Sequence, residues 1–288
     1  MKKNYLIVII LFLFLSVSKS NAQDAVELEN SVLWKVERSD LKEPSYLLGT
    51  LHLMCEKDFK ILDKIRRTLD SVDALVLEIN LSDPNELKSM QELMKATKPI
   101  SEELSKEEFD KLDVMLKDKF GLPLQQFDNY GLSTLYFFLV SKMLPSQSLK
   151  SLDVELQKLA VQKKIDVLAL ETVSQQMNFL KKAMPADYLL KQIMLFDSYK
   201  ADMIKSIELY LKEDLKSVAA LLSKEEYMNE NATEWMLTRR NNNWIEAMPS
   251  MIKSRSTLFA VGAAHLVNKN GLIYLLRQKG YTVTPVLK

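Results

Sequence analysis

Cysteine and histidine are nearly absent from this 288-residue chain, which has one Cys (Cys55) and two His (His52 and His265). One cysteine can neither close an intramolecular disulfide nor build a cysteine-rich zinc knuckle. Two histidines limit any imidazole-based centre to two imidazoles. Glycine is sparse, at six residues, and no glycine-rich phosphate loop is present, so no nucleotide cofactor is expected. Neither sign of charge is in excess: 39 Lys and Arg face 38 Asp and Glu, for a formal net charge of +1. A dedicated nucleic-acid binder carries a basic surplus, and no basic and aromatic array occurs, so a nucleic-acid partner is not expected. Long apolar runs are missing too. The longest near the start, Tyr5 to Leu15, falls short of the roughly 20 residues of a membrane span.

What remains is a globular composition, 47% hydrophobic and 27% charged. The length supports one large domain or two small ones. The N-terminus reads as a secretory signal peptide: Met1-Lys2-Lys3-Asn4, the apolar Tyr5–Leu15, then Ser20-Asn21-Ala22. Cleavage after Ala22 removes Lys2, Lys3 and Lys19, leaving 36 basic against 38 acidic residues and a net charge of −2. The expected mature chain, 23–288, is periplasmic or secreted and keeps no stable membrane span. Cys55 would there be an oxidation liability or a buried thiol.

Apolar runs bounded by polar residues predict strands at Ser31–Val36, Ser45–Leu51, Ala74–Ile79, Asp166–Glu171, Ser256–Val261 and Tyr281–Leu287. Helices are expected at Lys57–Leu69, Pro84–Ala96, Ser101–Asp118, Asn129–Leu144, Leu152–Lys163 and Gly271–Lys279. Tyr188–Leu221 reads as a long helical pair or one broken helix, and Asn231–Met248 as a helix ended by Pro249. Ser101-x-x-Leu104 is not a capping box, whereas Thr172 with Gln175 has the spacing of one. The two ends match: each is a strand, a Gly-x-x-His segment, a helix and a strand. These units predict one α+β (or α/β) domain, 23–288, with a central sheet and a mainly helical insertion at about 84–250.

Both histidines follow a strand and a glycine, Gly49-Thr50-Leu51-His52 and Gly262-Ala263-Ala264-His265. One such segment is common, and a lone histidine is more often structural. The shared context of the only pair points to a joint site or to a shared structural role. Glu78 and Glu171 each end an apolar strand-like run, where each is either an ion-pair partner or a ligand or base. Two imidazoles with one carboxylate, His52, His265 and Glu78, meet the protein ligand count of a catalytic zinc site and also suit manganese or cobalt. Such an ion polarises carbonyls and acidifies water, with a second carboxylate left for proton transfer. Cys55 is either a further ligand or, more plainly, a packed thiol. Arg240 either ties its helix to Glu78 or Glu171 or binds a substrate carboxylate or oxyanion, with Arg239 its competitor. Asn241 serves the same site or caps a backbone break. Tyr136 and Tyr130 line a pocket or fill the core. Neither a His-Glu-x-x-His helix nor a Gly-x-Ser-x-Gly elbow is present.

The strings YLLGTLH (Tyr46–His52), LVLEIN (Leu75–Asn80), LALETVSQQ (Leu168–Gln176), RNNNW (Arg240–Trp244) and the segment Leu258–Val286 together resemble the TraB/GumN (TraB/PrgY/GumN) family, related to the animal Tiki metalloproteases. The resemblance spans Val32 to Val286. It implies a metal-dependent protease site carried by His52, Glu78 and His265, supported by Glu171, Gln175, Arg240 and Asn241. The family often has Leu-x-Gly after the second Gly-x-x-His. This chain reads Leu266-Val267-Asn268, so the glycine is replaced. The expectation is a secreted metal-dependent hydrolase, a peptidase acting on a peptide or protein. The competing readings are an envelope protein that binds a peptide or tetrapyrrole without turnover, and a metal-independent esterase with a histidine base.

Overall fold

The computed structural model describes residues 28–93, 98–146 and 148–287. The expected leader, 1–22, lies outside them. Eight strands are described: β1 (Leu33–Glu37), β2 (Ser45–Thr50), β3 (Met54–Cys55), β4 (Ala74–Leu77), β5 (Leu149–Lys150), β6 (Asp166–Ala169), β7 (Thr257–Gly262) and β8 (Thr282–Pro285). The helices are α1 (Asp63–Ser71), α2 (Pro84–Leu93), α3 (Ile100–Glu103), α4 (Lys106–Phe120), α5 (Gly131–Ser141), α6 (Leu152–Lys163), α7 (Val173–Ala183), α8 (Ala186–Met194), α9 (Phe196–Leu211), α10 (Leu215–Leu222), α11 (Glu230–Thr233), α12 (Arg239–Ser254) and α13 (Leu272–Gln278).

Six strands form one mixed sheet in the order β6-β4-β7-β2-β1-β8. The first four are mutually parallel, while β1 runs antiparallel to both β2 and β8. The continuous apolar runs follow from this placement: every residue of β4 and of β7 is buried, because central parallel strands are covered on both faces. The edge strand β6 is only partly buried. The strands of the two matching units, β2 and β7, lie side by side, with Gly49 opposite Val261 and Thr50 opposite Gly262. The expected α+β domain is thus what forms, and β7, from the end of the chain, sits between β2 and β4.

The main core packs the sheet against α1, α6, α9, α10, α12 and α13. A second apolar cluster lies inside the insertion, joining α3, α4, α5, α8 and the start of α9. The single helix expected at Ser101–Asp118 is two. It breaks at Leu104, and Ser105 opens α4 with a true capping box closed by Glu108. The long pattern at Tyr188–Leu221 divides into α8, α9 and α10, broken at Leu195 and at Glu213, which has φ of 61°. Pro249 does not end its helix, which runs to Ser254 with the proline inside. Trp244, Ile245, Met248 and Ile252 are buried along that helix, and this packing outweighs the lost backbone bond. Among the described residues, no helix is long and apolar enough to cross a membrane.

Candidate active site

The four parallel strands converge chemically at their carboxyl ends. His52 follows β2, Glu78 follows β4, Glu171 follows β6 and His265 follows β7. In parallel sheets this edge is the usual ligand-binding edge. Adjacent strands therefore place side by side groups separated by up to 213 positions in sequence. Helix α12 brings Arg240 and Asn241 across the same edge.

Glu78 is the centre of the arrangement. Its Oε1 accepts from the Gly262 N–H at 2.8 Å, and the Nε2 atoms of His52 and His265 each stand 3.9 Å from that same oxygen. Its Oε2 accepts from Arg240 at 2.5 Å and from Gln176 at 3.1 Å. Burial alone would raise the pKa of Glu78, but Arg240, the two imidazoles and the Gly262 N–H overcome it and hold the carboxyl well below its usual range. For Glu171, burial prevails over Arg240 and raises the pKa. The Gly262 position is tight: a Cβ there would lie 3.1 Å from His52 Nε2 and 3.3 Å from Glu78 Oε1, so a methyl would press the His52 ring outward by a few tenths of an ångström.

Each histidine is held through Nδ1 by a side-chain oxygen. For His265 this is Asn241 Oδ1 at 2.6 Å; the Asn241 amide in turn donates to the carbonyls of His265 and Asn270. The His265 ring lies 4.5 Å from the Trp244 ring and is buried. Burial and the positive charge of Arg240 lower its pKa to about 3, which keeps the ring neutral. With Nδ1–H donated to Asn241, its Nε2 presents a lone pair. His52 is held by Asp153 Oδ2 at 3.0 Å, yet its side chain is 62% exposed. Loss of water works to lower its pKa, but the Asp153 carboxylate, joined by Glu78, outweighs this and raises it to about 9. Solvent at the exposed ring screens that rise.

Arg240 is a buried clamp. Its Nε donates to Glu171, Nη2 to both Glu78 and Glu171, and Nη1 to the Met236 carbonyl at 3.2 Å and toward His265 Nε2 at 3.2 Å. The turn just before it, Glu234–Thr238, is a π-helix, a local widening frequent at functional sites. Of the two expectations for Arg240, the tie to Glu78 and Glu171 is the one formed, and it reaches both acids. Every guanidinium nitrogen is engaged, so none is free for a substrate as the site stands. Asn241 joins the site by orienting His265.

Two residues considered for the site, Gln175 and Tyr136, are placed elsewhere. Gln175 accepts from the Thr172 N–H at 2.8 Å and completes the capping box of α7. The neighbouring Gln176 reaches the site instead and bridges Glu78 and Glu171. Tyr136 belongs to the second apolar cluster and lines a groove of about 630 Å³ with Tyr130 and Phe137. Among the described residues no hydrogen bond joins it to the histidines. Cys55 is a buried thiol of the main core. Asp153, Gln176, Trp244 and the Gly262 N–H were not legible as site members. For Gln176 one signal existed: the capping box already occupied its neighbour.

Among the described residues, no group of three or more His, Cys, Asp or Glu side chains is already drawn together to hold a metal. Ligands at about 2.0–2.1 Å from a tetrahedral ion stand roughly 3.4 Å apart. The two 3.9 Å separations are therefore loose, and Arg240 shares His265 Nε2. The donor chemistry nevertheless suits an ion. Both Nδ1 atoms are tied back, and both Nε2 atoms face one ionised carboxylate oxygen.

Residues 32–285 match the TraB/PrgY/gumN family. The chain belongs to that family. A metalloprotease TIKI homolog of Amphimedon queenslandica is 24% identical over 317 residues, covering 88% of this chain and 61% of that protein. The chain thus spans about three fifths of that relative's length. It matches no solved structure. Within the TraB/PrgY/gumN fold seen here, the replaced glycine after the second Gly-x-x-His has a clear local answer. Asn268 adopts φ of 70°, a left-handed conformation that asparagine tolerates better than most side chains.

Proposed function

We propose that this TraB/PrgY/gumN member is a divalent-metal-dependent hydrolase of peptide bonds that works outside the cytoplasm. The observation that supports the reading best is the convergence of His52 Nε2 and His265 Nε2 on one oxygen of Glu78. His52, His265 and Glu78 would hold the ion, zinc, manganese or cobalt by donor type. A bound ion would supply a Lewis acid for the scissile carbonyl and a water of lowered pKa.

The remaining residues organise that set. Glu78 acts as ligand, because its Oε1 is the point both imidazoles face, while Arg240 and Gln176 hold Oε2. Glu171 holds Arg240 from the other side and keeps the guanidinium turned toward Glu78. Asn241 and Trp244 fix His265 with Nε2 inward. The exposed face of His52 is the open side, from which a substrate carbonyl can approach. A histidine pair this closely directed at one carboxylate favours hydrolysis over passive binding of a peptide or tetrapyrrole. The secretory leader read at residues 1–22 supports a periplasmic or secreted location for a peptide or protein substrate.

The test is metal analysis of natively purified protein with H52A and H265A, together with peptide cleavage. Stoichiometric metal and metal-stimulated cleavage are expected in the unaltered protein, and both should fall in each variant. Ester turnover that survives chelation would replace this reading with the metal-independent esterase. A coloured, haem-bound preparation without turnover would replace it with the binding protein.

A further inference from the structure

Asp153 is the second residue of α6, a helix of the insertion, and lies 101 positions from His52. An aspartate in a first helical turn ordinarily faces the free N–H groups and the helix dipole. Here Ser151 serves as the cap, accepting from the Val154 N–H. Asp153 instead turns away to the sheet: Oδ1 accepts from Thr50 Oγ1 at 2.8 Å, and Oδ2 lies 3.0 Å from His52 Nδ1 and accepts from Ser151 Oγ at 3.3 Å. Its side chain is 19% exposed, against 62% for His52.

The contrast with His265 gives this contact its meaning. His265 is packed under Trp244 and enclosed, so its ring has little freedom even before Asn241 is considered. His52 has no such enclosure. An imidazole this exposed samples several rotamers, and only a specific bond selects the one with Nε2 toward Glu78. The backbone around the pair is itself fixed. β3, just after His52, pairs with β5, just before α6, with Cys55 opposite Leu149. Tyr210 of α9 donates to the Gly49 carbonyl at 2.7 Å. The insertion thus grips the first Gly-x-x-His segment at strand, loop and side chain.

We infer that Asp153 is the positioning residue for His52, holding the imidazole through Nδ1 so that Nε2 is presented to Glu78. This rests on the reading of His52 as a metal ligand, and it gives the helical insertion a part in the site. Carboxylates that accept from the second nitrogen of a ligating histidine fix its tautomer and strengthen its donation, and losing one typically weakens metal binding about 10–100-fold.

The experiment uses the full chain, unaltered and as Asp153→Ala and Asp153→Asn, with Co²⁺ as the probe and nitrogen-15 NMR of the two imidazoles in metal-free protein. Asp153→Ala should weaken Co²⁺ binding about 10–100-fold. It should also abolish an exchange-protected Nδ1 proton on His52 while leaving the His265 signals in place. Asp153→Asn, which keeps a side-chain acceptor as Asn241 does for His265, should fall between the two and controls for any failure of the alanine variant to fold. Co²⁺ binding by Asp153→Ala as tight as in the unaltered protein overturns the inference, as does a wild-type His52 with no protected Nδ1 proton. Should the unaltered protein bind no Co²⁺ while the Nδ1 proton is present and vanishes in Asp153→Ala, the metal reading falls and the positioning role stands.

Discussion

Replacing Arg240 with alanine tests how the site is held together. The Arg240, Glu78 and Glu171 side chains are 4%, 8% and 4% exposed. Without the guanidinium, two carboxylates that share the Gln176 amide are left buried with no counter-charge from α12. Removing one partner of a buried pair costs about 3–5 kcal/mol, and because one cation here serves two anions the loss at pH 7 should sit near the upper end, about 5 kcal/mol. Arg240→Lys restores charge but not the planar fork, so it should lose an intermediate amount. Urea unfolding of metal-stripped protein, followed by circular dichroism, measures both. The pH dependence supplies a second sign. In the unaltered protein the pKa of Glu78 is lowered in spite of burial, because Arg240, the imidazoles and the Gly262 N–H overcome it. That stabilisation is present above the unfolded-state pKa and is lost as pH falls through the folded value. In Arg240→Ala burial goes unopposed by the guanidinium, the carboxyl pKa rises, and the variant regains stability in acid. The gap should therefore narrow between pH 7 and about pH 4. A loss below about 1 kcal/mol at pH 7, or a gap that widens in acid, would refute this account of the cluster.

Gly262→Ala should leave the melting temperature within a few degrees, because the exposed His52 ring yields to the new methyl, yet weaken Co²⁺ binding about tenfold or more; calorimetry and metal titration separate the two effects. Asn268→Gly should be neutral or slightly stabilising, whereas Asn268→Val should cost about 1–2 kcal/mol in urea unfolding. Gln175→Ala should lower stability by about 1 kcal/mol through its cap and spare metal binding, while Gln176→Ala should impair metal binding through Glu78; exchanged phenotypes would contradict the placement of the two side chains.

The sheet was legible because its central strands are short apolar runs, and because the repeated Gly-x-x-His segment marks two strands that become neighbours. His52, Glu78, Glu171 and His265 were legible for a related reason, since a polar residue closing a buried run at a parallel strand's carboxyl end has few uses. The helix ends of the insertion were harder. Periodicity continues across Leu104, Leu195 and Glu213, where only tertiary packing and a left-handed residue decide the break. Pro249 misled in the opposite direction, because a buried face carries α12 past it. Asp153 gave no local signal at all: it sits among ordinary first-turn acids, and its partners Thr50 and His52 come from a distant strand end.

The position of β7 between β2 and β4 also sets an order of events. Residues 46–50 and 74–77 each pair with β7 and not with one another, so the middle of the sheet cannot close until residues 257–262 arrive. Such long-range parallel pairing is intrinsically slow to form. In a chain emerging from synthesis β4 and β6 can pair early and bring Glu171 beside Glu78, whereas His52 and Glu78 follow strands that meet only through β7. The full candidate site, with both histidines facing Glu78, can therefore assemble only once β7 has inserted between β2 and β4.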